Sequence, residues 1–210
     1  CKFYFKLSKI PIIQELVEII KSIRSFNPDL ILAIGGGSVI DYAKTANVIT
    51  IRSDLKELIK NYSFPFRKKF KKLAVIPTTA GSGAEVTSNA VIYIDNIKYS
   101  FESNLLLPDY FFLIPEFIIS SSKNIKASSG FDAIAQALES LISRKSTEKS
   151  VIYATKSLKV SLNSYISLLE NPNIKNSSEM LIASNFAGKA INISKTTSPH
   201  AVSYPFTSLF

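Results

Sequence analysis

The stretch Leu30-Ile31-Leu32-Ala33-Ile34-Gly35-Gly36-Gly37-Ser38-Val39-Ile40-Asp41-Tyr42-Ala43-Lys44 decides the fold. Its first five residues are continuously apolar, the pattern of a parallel strand buried on both faces. Three glycines follow, then a helical pattern from about Val39 to Ile49. Strand, glycine turn and helix in that order make a phosphate-binding unit. Glycines let the backbone approach an anion, and the helix N-terminus supplies free N–H groups and the positive end of its dipole. Ser38 is placed to cap the helix. The string is not G-x-G-x-x-G, because Ile40 occupies the last position, and it is not a P-loop. A tight glycine turn without a ligand is the plain alternative. Asp41 and Lys44 share a helix face just beyond the glycines. They either add chemistry to the turn or form a surface ion pair of little energetic weight.

Working outward, Pro11–Ser25 carries a broad apolar helical face (Ile12, Ile13, Leu16, Val17, Ile19, Ile20, Ile23), with Pro11 suited to a first turn. Leu73–Ile76 is a second buried strand, ended by Pro77 and followed by the small-residue loop Thr78-Thr79-Ala80-Gly81-Ser82-Gly83. Val91–Ile94 and Tyr99–Glu102 read as a hairpin, and Tyr110–Ile114 as a further strand. From Ser120 the character changes. Ser129–Ser143, Thr147–Leu169 and Ser177–Ile193 read as helices, and Thr197-Ser198-Pro199 opens another with an N-cap and an N1 proline. The expected fold is therefore α/β with a parallel sheet over 1–119 and all-α over 120–210. The boundary falls in Ile119-Ser120-Ser121-Ser122-Lys123.

Composition narrows the function classes. The chain has 210 residues, 46% hydrophobic and 20% charged, which excludes intrinsic disorder. A net charge of +9 invites a nucleic-acid reading, but the basic residues are lysines apart from Arg24, Arg52, Arg67 and Arg144. Base readout favours arginine, and no nucleic-acid motif is present. The dense run Arg67-Lys68-Lys69-Phe70-Lys71-Lys72 reads as a solvated loop guarding a strand. No run of eighteen apolar residues and no signal-peptide pattern occurs, so neither a membrane nor a secretory route is expected, and the cytoplasm is. Cys1 is the sole cysteine and His200 the sole histidine, which excludes an internal disulfide and any site needing two histidines from this chain. A start at Cys1 rather than Met reads as part of a longer polypeptide.

Three blocks carry a resemblance: Gly35-Gly36-Gly37-Ser38-Val39-Ile40-Asp41-Tyr42-Ala43-Lys44, Pro77-Thr78-Thr79-Ala80-Gly81-Ser82-Gly83-Ala84-Glu85-Val86-Thr87, and Gly130-Phe131-Asp132-Ala133-Ile134-Ala135-Gln136-Ala137-Leu138-Glu139. In order and spacing they are similar to the iron-containing, group III metal-dependent alcohol dehydrogenases, whose fold is dehydroquinate synthase-like. The resemblance spans nearly the whole chain. It implies that 1–119 is a Rossmann-like dinucleotide-binding domain and 120–210 a helical metal and substrate domain, with NAD or NADP and a divalent metal, Fe²⁺ or Zn²⁺, meeting in the cleft between them. Gly36, Gly37, Ser38 and Asp41 match positions around the pyrophosphate and nicotinamide. Thr78, Thr79, Ser82, Asn89 and Lys98 match further cofactor contacts.

The resemblance also implies a metal set of Asp132, Gln136 and His200. Asp132 and Gln136 are i and i+4 on one helix face. Gln136 stands where the family has histidine, and an amide oxygen is a weaker ligand than imidazole. By pattern alone, Ser129 with Asp132 also fits a capping box. Tyr204 stands where the family often has a second histidine near the substrate, placed to pass a proton or to line the pocket. The segment Gly188–Tyr204 looks like the phosphonoacetaldehyde reductases. Lys195 with Thr196, Thr197 and the following helix N-terminus would suit a phosphonate. The expected reaction is reduction of a small aldehyde, phosphonoacetaldehyde first, by an enzyme that is a possible homodimer. The alternatives are a general short-chain alcohol or hydroxy-acid dehydrogenase, and an inactive remnant or basic binding module.

Overall fold

The computed structural model describes residues 1–209 apart from Pro65 and Arg67, with side chains described through Ser203. The glycine unit folds as β1 (Leu30–Gly35) running into α2 (Gly37–Val48), after α1 (Ile13–Phe26). A short α3 (Leu55–Lys60) leads to β2 (Lys72–Pro77). Next come β3 (Asn89–Ile94), β4 (Ile97–Glu102) and the two-residue β5 (Tyr110–Phe111). Strands β1, β2 and β5 form a parallel sheet in the order β1-β2-β5, with Leu30 opposite Lys72 and Ala74 opposite Tyr110. Strands β3 and β4 form a separate antiparallel hairpin. Its turn is made by Asp95 and Asn96, both at positive φ, which short polar side chains tolerate.

The core follows from this layout. Ile31 and Ala33 of β1 and Leu73 and Val75 of β2 pack on Ile40 and Ala43 of α2. Residues Leu16 and Ile20 of α1 meet Tyr42 and Ala46 of α2 and Ile92, Ile94 and Phe101 of the hairpin. Strand β1 departs from the expected two-sided burial: Leu30, Leu32 and Ile34 are about half exposed. Helix α2 covers only one face of the sheet, so the apolar run alternates in burial although not in sequence. The last strand is also shorter than expected: Tyr110 and Phe111 pair in register with β2, and the Phe112 N–H makes the last bond, to the Val75 carbonyl.

The helical half holds α4 (Glu116–Ile119), α5 (Lys123–Ile142), α6 (Glu148–Glu170), α7 (Ile174–Ser194) and α8 (Ser198–Leu209). Helices α5, α6 and α7 meet through Ala133, Ala137, Ala154, Ala187 and Ala190, small side chains that let helix axes come close. Helix α5 starts six residues before the expected Ser129, because the Ser122 hydroxyl accepts the Ile125 N–H and caps it. Ser129 is thus interior to the helix, and its hydroxyl donates to the Ile125 carbonyl. The capping-box role for Ser129 and Asp132 is overturned. Ser38 does not cap α2 either; the cap position is Gly36, with no side-chain bond. Pro11 lies before α1, its carbonyl accepting the Tyr93 N–H. Among the described residues no helix is long and apolar enough to cross a membrane.

The two halves are tied by a close approach. Gly83, at φ +59°, lies against Gly188 of α7, and a Cβ on Gly83 would come within 2.5 Å of the Gly188 Cα. Beside it, the Asn185 amide donates to Glu85, and Asn192 accepts from the backbone and hydroxyl of Ser88.

A candidate cofactor cleft and metal centre

The glycine turn and the small-residue loop come together at the end of the sheet. The Thr78 N–H donates to the Gly35 carbonyl, extending the β1–β2 ladder by one residue. A Cβ on Gly36 would lie 3.3 Å from Thr79, and one on Gly37 would lie 2.9 Å from the Ser82 hydroxyl. Only glycine at Gly37 keeps both the loop contact and an open approach to the α2 N-terminus. In front of it lies a cavity of about 560 Å³, lined by Gly36, Gly37, Ser38 and Thr79, by Lys6 and Lys9, and by Ile125 and Ser128 of α5. That volume suits a sizeable small-molecule ligand, and its walls come from both halves of the chain.

Asp41 and Lys44 point inward, so the surface-ion-pair alternative fails. Lys44 is fully buried, and its ammonium donates to the Thr87 carbonyl at 2.8 Å, the Thr87 hydroxyl at 3.2 Å and the Asn89 carbonyl at 3.0 Å. Burial lowers its pKa to about 8, against Asp41 and Glu85. Burial raises Asp41 to about 6, against Lys44, the Val91 N–H that it accepts, and Lys98. Asn89 contributes its backbone to this network, while its side chain is exposed. Burial also lowers Lys98, against the charges of Asp41 and Asp132.

The three candidate ligands lie close together. The His200 Nε2 is 3.3 Å from Asp132 Oδ1, and the Gln136 amide donates to Asp132 Oδ2 at 3.0 Å. The Gln136 Oε1 is buried and has no hydrogen-bond partner. A buried acceptor left unpaired costs about 1–3 kcal/mol, and carboxylate, imidazole and amide oxygen are all donor types that a divalent ion takes. The residues fit a metal. The bond to Asp132 raises the His200 pKa, against burial and with help from Glu139.

Glu139 is the site residue that sequence reasoning missed. One turn beyond Gln136 on α5, its Oε1 meets the other ring nitrogen, His200 Nδ1, while its Oε2 accepts both the backbone N–H and the hydroxyl of Thr197. Burial would raise its carboxyl, but the bonds from His200 and Thr197 outweigh that and hold it low. Thr197 spends its hydroxyl on this carboxylate.

Lys195 is placed elsewhere. Its ammonium pairs with Glu102 of β4 and donates to the Asn192 carbonyl. It lines a second cavity, of about 580 Å³, together with Arg144, Lys145, Thr196 and Thr197. Asp132, Gln136 and His200 are not among the residues lining that cavity. Tyr204 falls on α8, but its side chain lies outside the described residues.

Two family models match the chain in succession: iron-containing alcohol dehydrogenase over residues 1–115, and the C-terminal part of the Fe-containing alcohol dehydrogenase family over 126–210. The chain belongs to the iron-containing alcohol dehydrogenases. Within this family it is 32% identical over 192 residues to 4-hydroxybutyrate dehydrogenase of Clostridium kluyveri, covering 89% of this chain and 51% of that protein. It is 29% identical over 203 residues to 1-propanol dehydrogenase PduQ of Citrobacter freundii, covering 95% and 51%. Sulfoacetaldehyde reductase of Bifidobacterium kashiwanohense, solved in complex with NAD⁺, matches with a TM-score of 0.92 at 29% identity, covering 98% of this chain and 56% of that one. An iron-containing alcohol dehydrogenase of Thermotoga maritima matches with a TM-score of 0.85 at 29% identity, covering 99% and 57%. This iron-containing alcohol dehydrogenase chain thus spans about half the length of the relatives it matches.

Proposed function

We propose that this protein is a metal-dependent NAD(P)H oxidoreductase that reduces a small anionic aldehyde to its alcohol, with phosphonoacetaldehyde as the first candidate. The observation that carries the reading is the meeting of Asp132 with His200 Nε2 and the Gln136 amide, whose oxygen is buried and unpaired. In this reading residues 1–119 are the dinucleotide-binding domain and 120–210 the helical domain of a dehydroquinate synthase-like fold. The α2 N-terminus with Gly36, Gly37 and Ser38 receives the pyrophosphate. Thr78, Thr79, Ser82 and Asn89 supply ribose and phosphate contacts, and Asp132, Gln136 and His200 hold the metal. When bound, the reduced nicotinamide supplies the hydride and the divalent ion polarises the carbonyl that accepts it. In this reading Lys98 is a cofactor contact and Tyr204 passes the proton.

Two similarities support an anionic substrate: sulfoacetaldehyde and 4-hydroxybutyrate both carry an acidic group on a short chain. For Lys195 to hold the phosphonate it must leave Glu102 and turn from its own cavity toward Asp132 and His200. The test is an assay with NADH and NADPH on phosphonoacetaldehyde and on an uncharged aldehyde of similar size. One charge-assisted contact is worth about 1.5–3 kcal/mol, so the anionic substrate should lead by roughly tenfold or more in kcat/KM. Equal values on both would sink the anionic reading, and full activity after complete chelation would remove the metal from it. The Glu102–Lys195 pair favours one second reading, a dehydrogenase for uncharged short alcohols, since Glu102 already neutralises the lysine. Lys195→Ala separates the two: it should lower kcat/KM for the anionic substrate alone.

A further inference from the structure

Glu139 stands apart from the ligand set yet holds the segment that carries one of its members. It is 4% exposed, on the α5 stripe that also carries Asp132 and Gln136. Both of its oxygens are used, and both contacts run to the start of α8. One meets His200 Nδ1; the other takes the Thr197 N–H and the Thr197 hydroxyl. A carboxylate can only accept, so Nδ1 must carry the proton. Nε2 also faces a carboxylate, Asp132, but at 3.3 Å, so in the neutral ring the closer Glu139 contact decides which nitrogen keeps the proton. It leaves Nε2 as the ring nitrogen on the Asp132 side, where the Gln136 amide also meets Asp132. Holding Thr197 at the same time fixes the turn that delivers the ring, since Thr197 is three residues before His200.

We propose that Glu139 is the positioning residue of the metal centre. It locks the His200 ring in the Nδ1–H tautomer and pins the α7–α8 turn, so that Nε2 is presented to a divalent cation beside Asp132 and Gln136. The inference rests on the metal reading above, but its first consequence does not require a metal. An outer carboxylate that orients a ligating histidine typically controls metal affinity by about 10–100-fold.

The experiment uses the 210-residue chain, its Glu139→Gln and Glu139→Ala variants, and Thr197→Val, which removes only the hydroxyl contact. The chain has a single histidine, so ¹⁵N-imidazole NMR reports His200 without assignment. In metal-free wild type above the imidazole pKa the spectrum should show the Nδ1–H form. Both Glu139 variants should show a mixed or Nε2–H population. Co²⁺ titration followed by its visible absorption should then give binding about 10–100-fold weaker in Glu139→Ala. Glu139→Gln, which still accepts a hydrogen bond, should fall between it and wild type. Thr197→Val should retain the tautomer and lose less affinity than Glu139→Ala. A variant that is merely less stable would lower the melting temperature without moving the tautomer. Unchanged tautomer in both Glu139 variants overturns the proposal. So does Co²⁺ affinity equal to wild type. Wild type that shows the Nδ1–H form but binds no Co²⁺ overturns the metal reading instead, and leaves the tautomer comparison to decide the role of Glu139.

Discussion

Lys44 is a cation with no access to water. Its ammonium is held by two backbone carbonyls and a hydroxyl at the entry to β3, and the charges of Asp41 and Glu85 offset part of its desolvation. Replacing it by methionine keeps the volume but leaves the Thr87 and Asn89 carbonyls without their donor and two acids without their countercharge. Lys44→Met should destabilise the fold by about 3 kcal/mol or more, read by chemical denaturation. A loss below about 1 kcal/mol would mean that water replaces the ammonium. Asp41 makes the matching pH prediction. Its folded pKa, about 6, lies above the ordinary 3.8, so the folded state holds the proton more tightly. The stability it contributes is present below pH 3.8 and is lost as pH rises through 6. Asp41→Asn keeps the acceptor for the Val91 N–H and removes the titration. Relative to wild type the variant should gain up to about 3 kcal/mol between pH 4 and pH 7. Parallel stability curves over that range would show that Lys44 and Lys98 already neutralise the burial cost.

At the scale of elements, the two helices that build the site are recorded unevenly in the sequence. The glycine turn and the Asp132/Gln136 stripe can be read from local spacing, because i and i+4 fix a shared face whatever the tertiary structure does. The start of α5 cannot, because Lys123, Asn124 and Lys126 lack an apolar stripe, and Ser122 caps the helix in a run of three serines that looks like linker. Glu139 cannot be read either. Its partners lie 58 and 61 residues away, and nothing in its own neighbourhood marks it as other than a surface helix acid. Lys44 was ambiguous for the same reason, since its fate depends on where β3 begins. Gly188 shows what such distant contacts demand of a helix. Alanine there would gain up to about 1 kcal/mol of helix propensity, yet its Cβ would sit 2.8 Å from both the Cα and the carbonyl oxygen of Gly83. Backbone atoms cannot swing aside as a side chain can, so the clash should win. Gly188→Ala is expected to cost a net 1–3 kcal/mol or so, seen as a lower melting temperature. An unchanged or raised value would show that the α7 contact with the Gly83 loop is loose.

At the scale of the whole molecule, the cavity before α2 is a shared wall. Gly36, Gly37, Ser38 and Thr79 come from the sheet half, and Ile125 and Ser128 from the first two turns of α5. A dinucleotide seated there would touch both halves, so its binding energy would add to the contacts at Gly83, Glu85 and Ser88 that join them. Binding to the native state alone stabilises by RT ln(1 + [L]/Kd), about 2.7 kcal/mol at a hundredfold excess over Kd. The chain should therefore melt several degrees higher in saturating NAD⁺ or NADP⁺, and the cofactor giving the larger shift at equal concentration is the preferred one. Gly37→Val tests whether that gain comes through the glycine turn. Even a Cβ at Gly37 would lie within 2.9 Å of the Ser82 hydroxyl, and the added methyls would stand in the path of a phosphate approaching the α2 N-terminus. The variant should lose most of the cofactor-induced rise while its far-ultraviolet circular dichroism stays that of the parent. A full rise in Gly37→Val would place the cofactor elsewhere on the molecule, and the cavity shared between the sheet and α5 would lose its assigned ligand.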